Sequence, residues 1–333
     1  MSPGPSVEDH PDLGLPPRRA IGQPEVLVAL AVVLALGHSL VGDWFTSARL
    51  QTWATVFVSV TTQALPFLVL GVVLSGLIAA LVPPGAIERV LPKRPGFAVP
   101  FASVAGMALP GCECSAVPIA GRLIATGAPP SAALAFLLAA PAINPVVLAA
   151  TSVAFPGNPK MVLARFAASL LTSVVVGWVW IRIGKDEWVR RARRRSQPGG
   201  SRTEMFRATA VHDMMHAGGF LVIGASTAAT LNVVVPGSVL DNIAGSGPLA
   251  VVAMGGLAVV LAICSEADAF VAASLTQFSL TARLAFLVVG PAVDVKLAAL
   301  QAGTFGRQFA MRFAPLTFAV AIASATVVGW VLL

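Results

Sequence analysis

Charged residues are scarce in this sequence. Of its 333 residues only 11% are Asp, Glu, Lys or Arg, whereas 56% are hydrophobic, and the mean hydropathy is +0.84. A soluble globule of this size needs more polar surface than these residues supply. The composition therefore excludes a soluble protein and predicts an all-α, polytopic membrane protein. Its expected partner is the lipid bilayer that surrounds it.

Cysteine is also rare, and nucleotide-binding motifs are missing. Three cysteines in apolar surroundings cannot form a disulfide framework, so they are interpreted as thiols held for packing or ligation. The sequence contains no phosphate-binding P-loop, dinucleotide fingerprint or Gly-x-Ser-x-Gly elbow. This absence argues against ATP-driven transport by this chain, and no cofactor is expected.

Several apolar stretches approach or exceed the roughly 20 residues that cross a bilayer as a helix. The proline-rich and charged residues 1–20 predict a disordered tail, and residues 24–42 predict a retained first transmembrane helix rather than a signal peptide. The other long apolar stretches are residues 52–82, 131–153, 161–183 and 312–333.

Positive charge is concentrated in one segment. Nine basic and three acidic residues lie between Arg182 and Arg207, so most of the net charge of +7 is local. In a membrane protein such a cluster marks a cytoplasmic loop, here residues 184–207, and nucleic acid is not expected as a partner. Arg18 and Arg19 likewise place the N-terminus in the cytoplasm, in a multi-pass protein of the plasma (inner) membrane.

The sequence contains an internal duplication. A shift of 150 residues superposes residues 114–150 on 264–300, which pairs Cys114-Ser115 with Cys264-Ser265. A shift of 153 pairs Phe-Leu-Val-Leu-Gly71 with Phe-Leu-Val-Ile-Gly224. We predict two repeats, residues 52–183 and 208–333, each built from four elements.

The two repeats are predicted to be inverted. Glycine and proline interrupt the first apolar segment that carries Cys-Ser, residues 96–127, and its counterpart, residues 247–279, also contains glycine. The basic residues near Arg94 and the basic loop share the cytoplasmic side only if the first segment enters the membrane and returns. The prediction is an inverted-repeat bundle with two re-entrant or broken-helix hairpins carrying the Cys-Ser motifs, a plan that recurs among secondary transporters.

Carboxylates in these broken segments require an explanation, because an unpaired charge in the hydrocarbon region is costly. In one interpretation Glu113, Glu266 and Asp268 bind a cation or carry protons. In the other they lie at helix ends, pair with Arg122 or cap free amides. Both interpretations stay open.

Thiols are soft ligands suited to Cu(I), Zn(II) or trivalent arsenic. Cys112, Cys114 and Cys264, with their neighbours Ser115 and Ser265, are therefore candidate substrate-binding residues, and Cys114 and Cys264 are candidate metal ligands. A buried cysteine can equally be an apolar filler.

Two further pairs of positions are candidates. Asn144 and Asp294 occupy equivalent places after repeated prolines, where they either act as ligands or, for Asp294, pair with Lys296 at a helix end. His212 and His216 are one helical turn apart, which fits either a metal chelate or the start of an interfacial helix.

The segment Leu-Pro-Gly-Cys-Glu-Cys-Ser-Ala-Val-Pro118, followed by Pro-Ala-Ile-Asn-Pro145, resembles the predicted permeases of the ArsP/YraQ type, also called DUF318. This resemblance spans roughly residues 52–333. It implies a plasma-membrane permease, in a group with members linked to efflux of trivalent organoarsenicals or suspected of moving transition metals. The resemblance also implies a functional role for the residues that match the motif: Cys112, Cys114, Ser115, Pro118, Pro141 and Asn144.

The sequence therefore predicts a secondary permease that exports a soft metal or metalloid species through a central site. Glu113, Glu266, Asp268, Asp294 and Lys296 are predicted to couple transport to protons or ions. An intramembrane enzyme acting on lipid or peptide is one alternative, although all four histidines lie outside the broken segments. A membrane subunit of a multi-component metal-handling complex is the other, with a partner membrane subunit.

Overall fold

A computed structural model describes residues 48–81, 91–92, 94–109, 113–185, 187–189, 201–234 and 247–333. The chain separates into two compact units, Met1–Gln51 and Thr52–Leu333. In the first unit the described residues are 48–51, which are helical. The predicted tail and first transmembrane helix lie outside the described residues.

The described residues of the first half form helices α1 to α6. Their bounds are α1 Ala48–Leu81, α2 Pro95–Gly106, α3 Glu113–Ala125, α4 Pro130–Ile143, α5 Pro145–Ala154 and α6 Pro159–Ile183.

The second half repeats this order. Its helices are α7 Arg202–Val234, α8 Pro248–Leu261, α9 Asp268–Ser274, α10 Leu280–Ala292, α11 Val295–Thr304 and α12 Arg307–Leu332. No strand occurs in the described residues. The prediction of an all-α fold is confirmed.

Five stretches in the described part are long and apolar enough to span a membrane: Arg49–Leu81, Pro130–Ala154, Pro159–Ile183, Leu280–Thr304 and Arg307–Leu332. The protein is thus a polytopic α-helical membrane protein. Leu280–Thr304 escapes a search for apolar runs because Arg283, Asp294 and Lys296 interrupt it.

Each half of the chain has more helices in the described residues than the four elements predicted for a repeat. The Pro-Ala pairs, Pro141 with Ala142 and Pro291 with Ala292, do not lie in continuous helices, because the helix ends at or just after each pair and a new one begins. Asn144 and Asp294 cap the new helices, α5 and α11.

The predicted basic loop is shorter than residues 184–207, because α7 begins at Arg202. The amide of Ser201 donates to Glu204 Oε2 at 2.8 Å, and the amide of Glu204 donates to Ser201 Oγ at 3.3 Å. This reciprocal capping box satisfies two free amides and starts the helix. Residues 190–200 of the loop lie outside the described residues.

Equivalent long helices of the two halves contact each other and run in opposite directions. Trp53 near the start of α1 bonds to Thr230 near the end of α7 at 3.0 Å, and Ser75 near the end of α1 bonds to Asp213 near the start of α7 at 2.6 Å. At the end of α6 the Trp180 ring lies 5.2 Å from Phe309 at the start of α12. The two halves therefore share a long antiparallel interface.

Candidate functional site

The second Cys-Ser motif lies in a non-helical stretch between α8 and α9. Ala262 has a left-handed backbone with φ of +49°, and residues 263–267 continue without helix. Cys264 and Ser265 are both buried there. Two backbone amides, those of Ala267 and Asp268, donate to the Cys264 carbonyl at 2.9 and 3.0 Å.

The first Cys-Ser motif differs from this arrangement. Cys114 and Ser115 are buried in the first turn of α3, so the pair stands at a helix start. Cys114 also belongs to a buried apolar cluster with Leu68 and Leu297, one from each half. The preceding residues 110–112, which include the candidate ligand Cys112, lie outside the described residues.

Lys296 occupies the centre of the site, fully buried on α11. Its Nζ lies 2.6 Å from Glu113 Oε1 and 3.9 Å from Asp294 Oδ2. The same Nζ lies 3.4 Å from the Ala262 carbonyl and 3.9 Å from Cys264 Sγ. One ammonium group thus contacts or faces both broken segments.

Arg165 forms a second buried ion pair across the two halves. It lies on α6 with no exposed surface, and its Nη2 donates to Asp268 Oδ2 at 2.9 Å and to the Ser265 carbonyl at 3.0 Å. Its Nη1 donates to Thr151 Oγ1 at 2.8 Å. Sequence reasoning missed Arg165, although an arginine inside a predicted membrane span is itself a signal of a buried partner.

The two ion pairs are reciprocal. Lys296 of the second half neutralises Glu113 of the first, and Arg165 of the first half neutralises Asp268 of the second. Each broken segment therefore depends on a cation that the opposite half supplies.

Glu113 does not pair with Arg122, as one interpretation of the sequence expected. The two residues stand near opposite ends of α3, and nine residues of helix separate their Cα atoms by about 14 Å. Arg122 Nη2 instead donates to Thr209 Oγ1 of α7 at 3.1 Å. The region around Arg122 and the Ser75–Asp213 bond is a separate buried polar patch.

Asn144 and Asp294 act locally as helix caps. Asn144 Oδ1 accepts from the Val147 amide at 3.0 Å, and Asp294 Oδ1 accepts from the Leu297 amide. Both side chains are buried. Asp294 combines this cap with its 3.9 Å contact to Lys296, so the expected Asp294–Lys296 pair is present.

Acidic groups outnumber basic groups in the central cluster. The cluster contains two cations, Arg165 and Lys296, and four carboxyl groups, Glu113, Glu266, Asp268 and Asp294. Glu266 interacts electrostatically with both cations. Several oxygens have no hydrogen-bond donor within the described residues: Glu113 Oε2, Ser265 Oγ, Glu266 Oε2 and Asp268 Oδ1.

No group of three or more His, Cys, Asp or Glu side chains in the described ranges is arranged to hold a metal ion. His212 and His216 lie on the exposed side of α7 with ring centroids 4.7 Å apart, away from the buried Asp213. The central cluster, rather than this histidine pair, is where the two halves bring their polar residues together.

Two equivalent glycines allow the long helices to approach this cluster. A Cβ on Gly71 would lie 2.5 Å from Ser115 Cα, and a Cβ on Gly224 would lie 2.7 Å from Lys296 Cα. Real Cβ atoms do not approach so closely. The repeated Phe-Leu-Val-x-Gly motif therefore marks two backbone contacts with site residues.

Comparisons with known proteins agree with a membrane transport role. Residues 49–330 match the model of the ArsP_1 family, described as predicted permease. The chain is 36% identical over 278 residues to UPF0718 protein YcgR of Bacillus subtilis, covering 80% of this chain and 93% of that protein.

A second relative comes from Streptococcus mutans. It is described as a putative two-component membrane permease complex subunit and is 32% identical over 292 residues, covering 85% of this chain and 96% of the relative. No solved structure matches the chain.

Proposed function

Because the chain belongs to the ArsP_1 family of predicted permeases, we propose that it is a secondary permease with one central site between two inverted repeats. We propose further that it exports a soft metal or metalloid species, a trivalent organoarsenical or a transition-metal ion. The permease relatives favour transport over an intramembrane enzyme that acts on lipid or peptide.

The observation that carries this proposal is the buried cluster at the interface of the halves. A carrier needs a site that opens to one side at a time, and a site shared by two halves meets this need when the halves rock against each other. Here Glu113 and Lys296 come from different halves, as do Arg165 and Asp268.

The antiparallel contacts between equivalent helices support the inverted arrangement. In repeats related by an axis in the membrane plane, corresponding helices run in opposite directions. The Trp53–Thr230 and Ser75–Asp213 bonds give this relation for α1 and α7. With the N-terminus in the cytoplasm, α6 then runs inward and α12 runs outward.

In the proposed mechanism the cargo meets Cys114 and Cys264, and Cys112, Ser115, Ser265 and Asn144 are further candidate ligands. Thiolates prefer soft, thiophilic species, which sets the substrate class. Proton or ion exchange at Glu113, Glu266, Asp268, Asp294 and Lys296 couples cargo movement to a gradient. The excess of carboxyl groups over cations supports this second role.

The name of the Streptococcus mutans relative favours a second candidate function. In this proposal the chain is the membrane subunit of a two-component permease complex that handles metals. Purified protein in liposomes would then transport cargo only after addition of membranes that contain the partner subunit.

The decisive experiment is a cell accumulation assay with methylarsenite, Zn(II) and Cu(I), with and without a proton gradient. Cells that express the wild-type protein should accumulate less of one of these species than cells that express Cys114→Ala/Cys264→Ala. Ser103→Ala is a matched control, because Ser103 is buried and donates to the Val99 carbonyl of its own helix at 3.1 Å. Equal accumulation of all three species by wild type and the double variant would refute the thiol role.

A further inference from the structure

The non-helical stretch around Cys264 contains carbonyl groups that no helix satisfies. At membrane depth such groups need donors from the protein or from water in a cavity, because lipid offers none. Within the stretch, the Ala262 carbonyl faces Lys296 at 3.4 Å, the Cys264 carbonyl accepts from backbone amides, and the Ser265 carbonyl accepts from Arg165 at 3.0 Å.

Among these donors, Arg165 is the one from the opposite half. Its guanidinium is oriented on one side by Thr151, whose hydroxyl donates to the Val147 carbonyl at 2.8 Å and so offers a lone pair to Nη1. On the other side Nη2 contacts both Asp268 and the Ser265 carbonyl. A planar guanidinium can make these divergent contacts together, whereas a lysine ammonium on a single stem cannot reach all of them.

We propose that Arg165 is the positioning residue of the Cys264-Ser265 segment: through Ser265 and Asp268, the first half holds the second half's thiol toward the central cluster. The importance of this thiol for cargo rests on the proposed function. The positioning itself rests on the contacts of Arg165.

The test measures how fast Cys264 reacts with a maleimide in a Cys112→Ser/Cys114→Ser background, where it is the single thiol. Cys264 is 4% exposed, so its reaction requires the segment to open. Arg165→Gln should raise the labelling rate about tenfold or more, the change expected from loss of one charge-assisted hydrogen bond. Arg165→Lys keeps the charge beside Asp268 but loses the planar guanidinium that bonds to several groups together. Its Cys264 labelling rate should therefore fall between those of the background protein and Arg165→Gln.

Arg122→Gln is the matched control, because Arg122 is an equally buried arginine whose bond to Thr209 lies away from Cys264. Its labelling rate should stay within about twofold of the background protein, because its bond to Thr209 belongs to the separate polar patch rather than to the Cys264 segment. A comparable increase in this variant would show that the loss of any buried arginine speeds Cys264 labelling, which would overturn the proposal.

Folding is controlled by the double variant Arg165→Gln/Asp268→Asn. Removing both partners leaves neither Arg165 nor Asp268 as an unpaired buried charge, so the protein should stay monodisperse in size-exclusion chromatography. Fast Cys264 labelling in this folded variant supports the proposal, and labelling at the background rate overturns it. If both neutral variants aggregate, Arg165→Lys decides by the same criterion.

Labelling requires no cargo, so this result is independent of the transport assay. Fast labelling in Arg165 variants together with normal transport by Cys114→Ala/Cys264→Ala would retain the positioning role and refute the thiol role in transport. Unchanged labelling in the Arg165 variants, together with lost transport in Cys114→Ala/Cys264→Ala, would refute the positioning role and retain the thiol role in transport.

Discussion

At the scale of single residues, the site is governed by the cost of burying charge. Lys296 has no exposed surface and faces both Glu113 and Asp294. Desolvation of a lone charge costs several kcal/mol, so such a group persists only with its partners in place. Loss of one partner should therefore be more harmful than loss of the pair.

We predict strong coupling between Glu113 and Lys296. Lys296→Met should destabilise the protein by about 3–5 kcal/mol, because it leaves two carboxylates without their cation, and Glu113→Gln should cost less because Asp294 remains beside Lys296. The double variant should be more stable than the sum of the single effects predicts. Thermal unfolding in detergent measures all three, and simple additivity would contradict a direct pair.

A second residue-scale prediction concerns Gly71 and Gly224. Alanine at either position forces backbone apart at Ser115 or Lys296, so each variant should lose about 1–3 kcal/mol of stability. Gly218→Ala, in the same helix as Gly224 but with nothing within 4 Å of the added Cβ, is the control and should be neutral or slightly stabilising. Equal stability of Gly224→Ala and Gly218→Ala would show that the close approach is unimportant.

The sequence identifies most of these residues and the local Asp294–Lys296 pair, but not the partners that come from the opposite half. Glu113, Asp268 and Lys296 stand out because charge is rare in apolar segments. Their pairing depends on how two distant halves pack, so the sequence offered Arg122 for Glu113 on proximity alone. Arg165 meets the same criterion within the apolar stretch 161–183 but was not singled out.

At the scale of elements, the breaks at Asn144 and Asp294 shape the site. Asn144 ends one helix and starts the next within the candidate membrane span Pro130–Ala154, and Asp294 starts a new helix within Leu280–Thr304, just after α10 ends at Ala292. The breaks follow from residue chemistry, since an Asn or Asp side chain satisfies a free amide at a helix start.

We predict that the cap and the charge of Asp294 have separable effects. Asp294→Ala should lower stability by about 0.5–2 kcal/mol through loss of the cap, whereas Asp294→Asn should retain most of it. If Asp294 exchanges protons as proposed, Asp294→Asn should fold normally yet lose the dependence of transport on a proton gradient. Unfolding curves and transport with and without the gradient measure the two effects, and gradient-dependent transport in Asp294→Asn would remove Asp294 from the coupling role.

Helix positions were easier to predict than helix ends. Long apolar runs identified α1, α6 and α12, because hydrophobic length is a local property. The start of α7 was assigned to the basic loop because basic charge alone defined residues 184–207, whereas the Ser201–Glu204 capping box starts the helix at Arg202. The breaks inside the two spans depend on capping contacts of single residues, which a mean hydropathy over many residues does not reveal.

At the scale of the whole molecule, the arrangement of the repeats can be measured directly. Lys160 and Gln308 are exposed at equivalent positions near the starts of α6 and α12. In inverted repeats these positions face opposite sides of the membrane. Single cysteines, Lys160→Cys and Gln308→Cys in a cysteine-free background, should react with an impermeant maleimide from outside and inside the cell respectively.

Reaction of both cysteines from the same side would show parallel repeats and refute the inverted arrangement. The exposed Lys185→Cys, just after α6, is a control for the cytoplasmic side. The prediction of a duplication rests on ordered identities in the sequence. The exchange of ion pairs between halves could not be predicted from the sequence. Lys296 has no charged counterpart at the matching position Val146, and the register that pairs Lys160 with Gln308 places Phe313 at the position equivalent to Arg165.

The reciprocal ion pairs also affect how the protein is made. Synthesis proceeds from the N-terminus, so Glu113 and Arg165 enter the membrane before their partners Lys296 and Asp268 have been translated. Until the second half arrives, the first half holds buried charges that the bilayer does not tolerate. Biogenesis must therefore keep the nascent first half hydrated or sheltered, and its final burial has to wait for the last quarter of the chain.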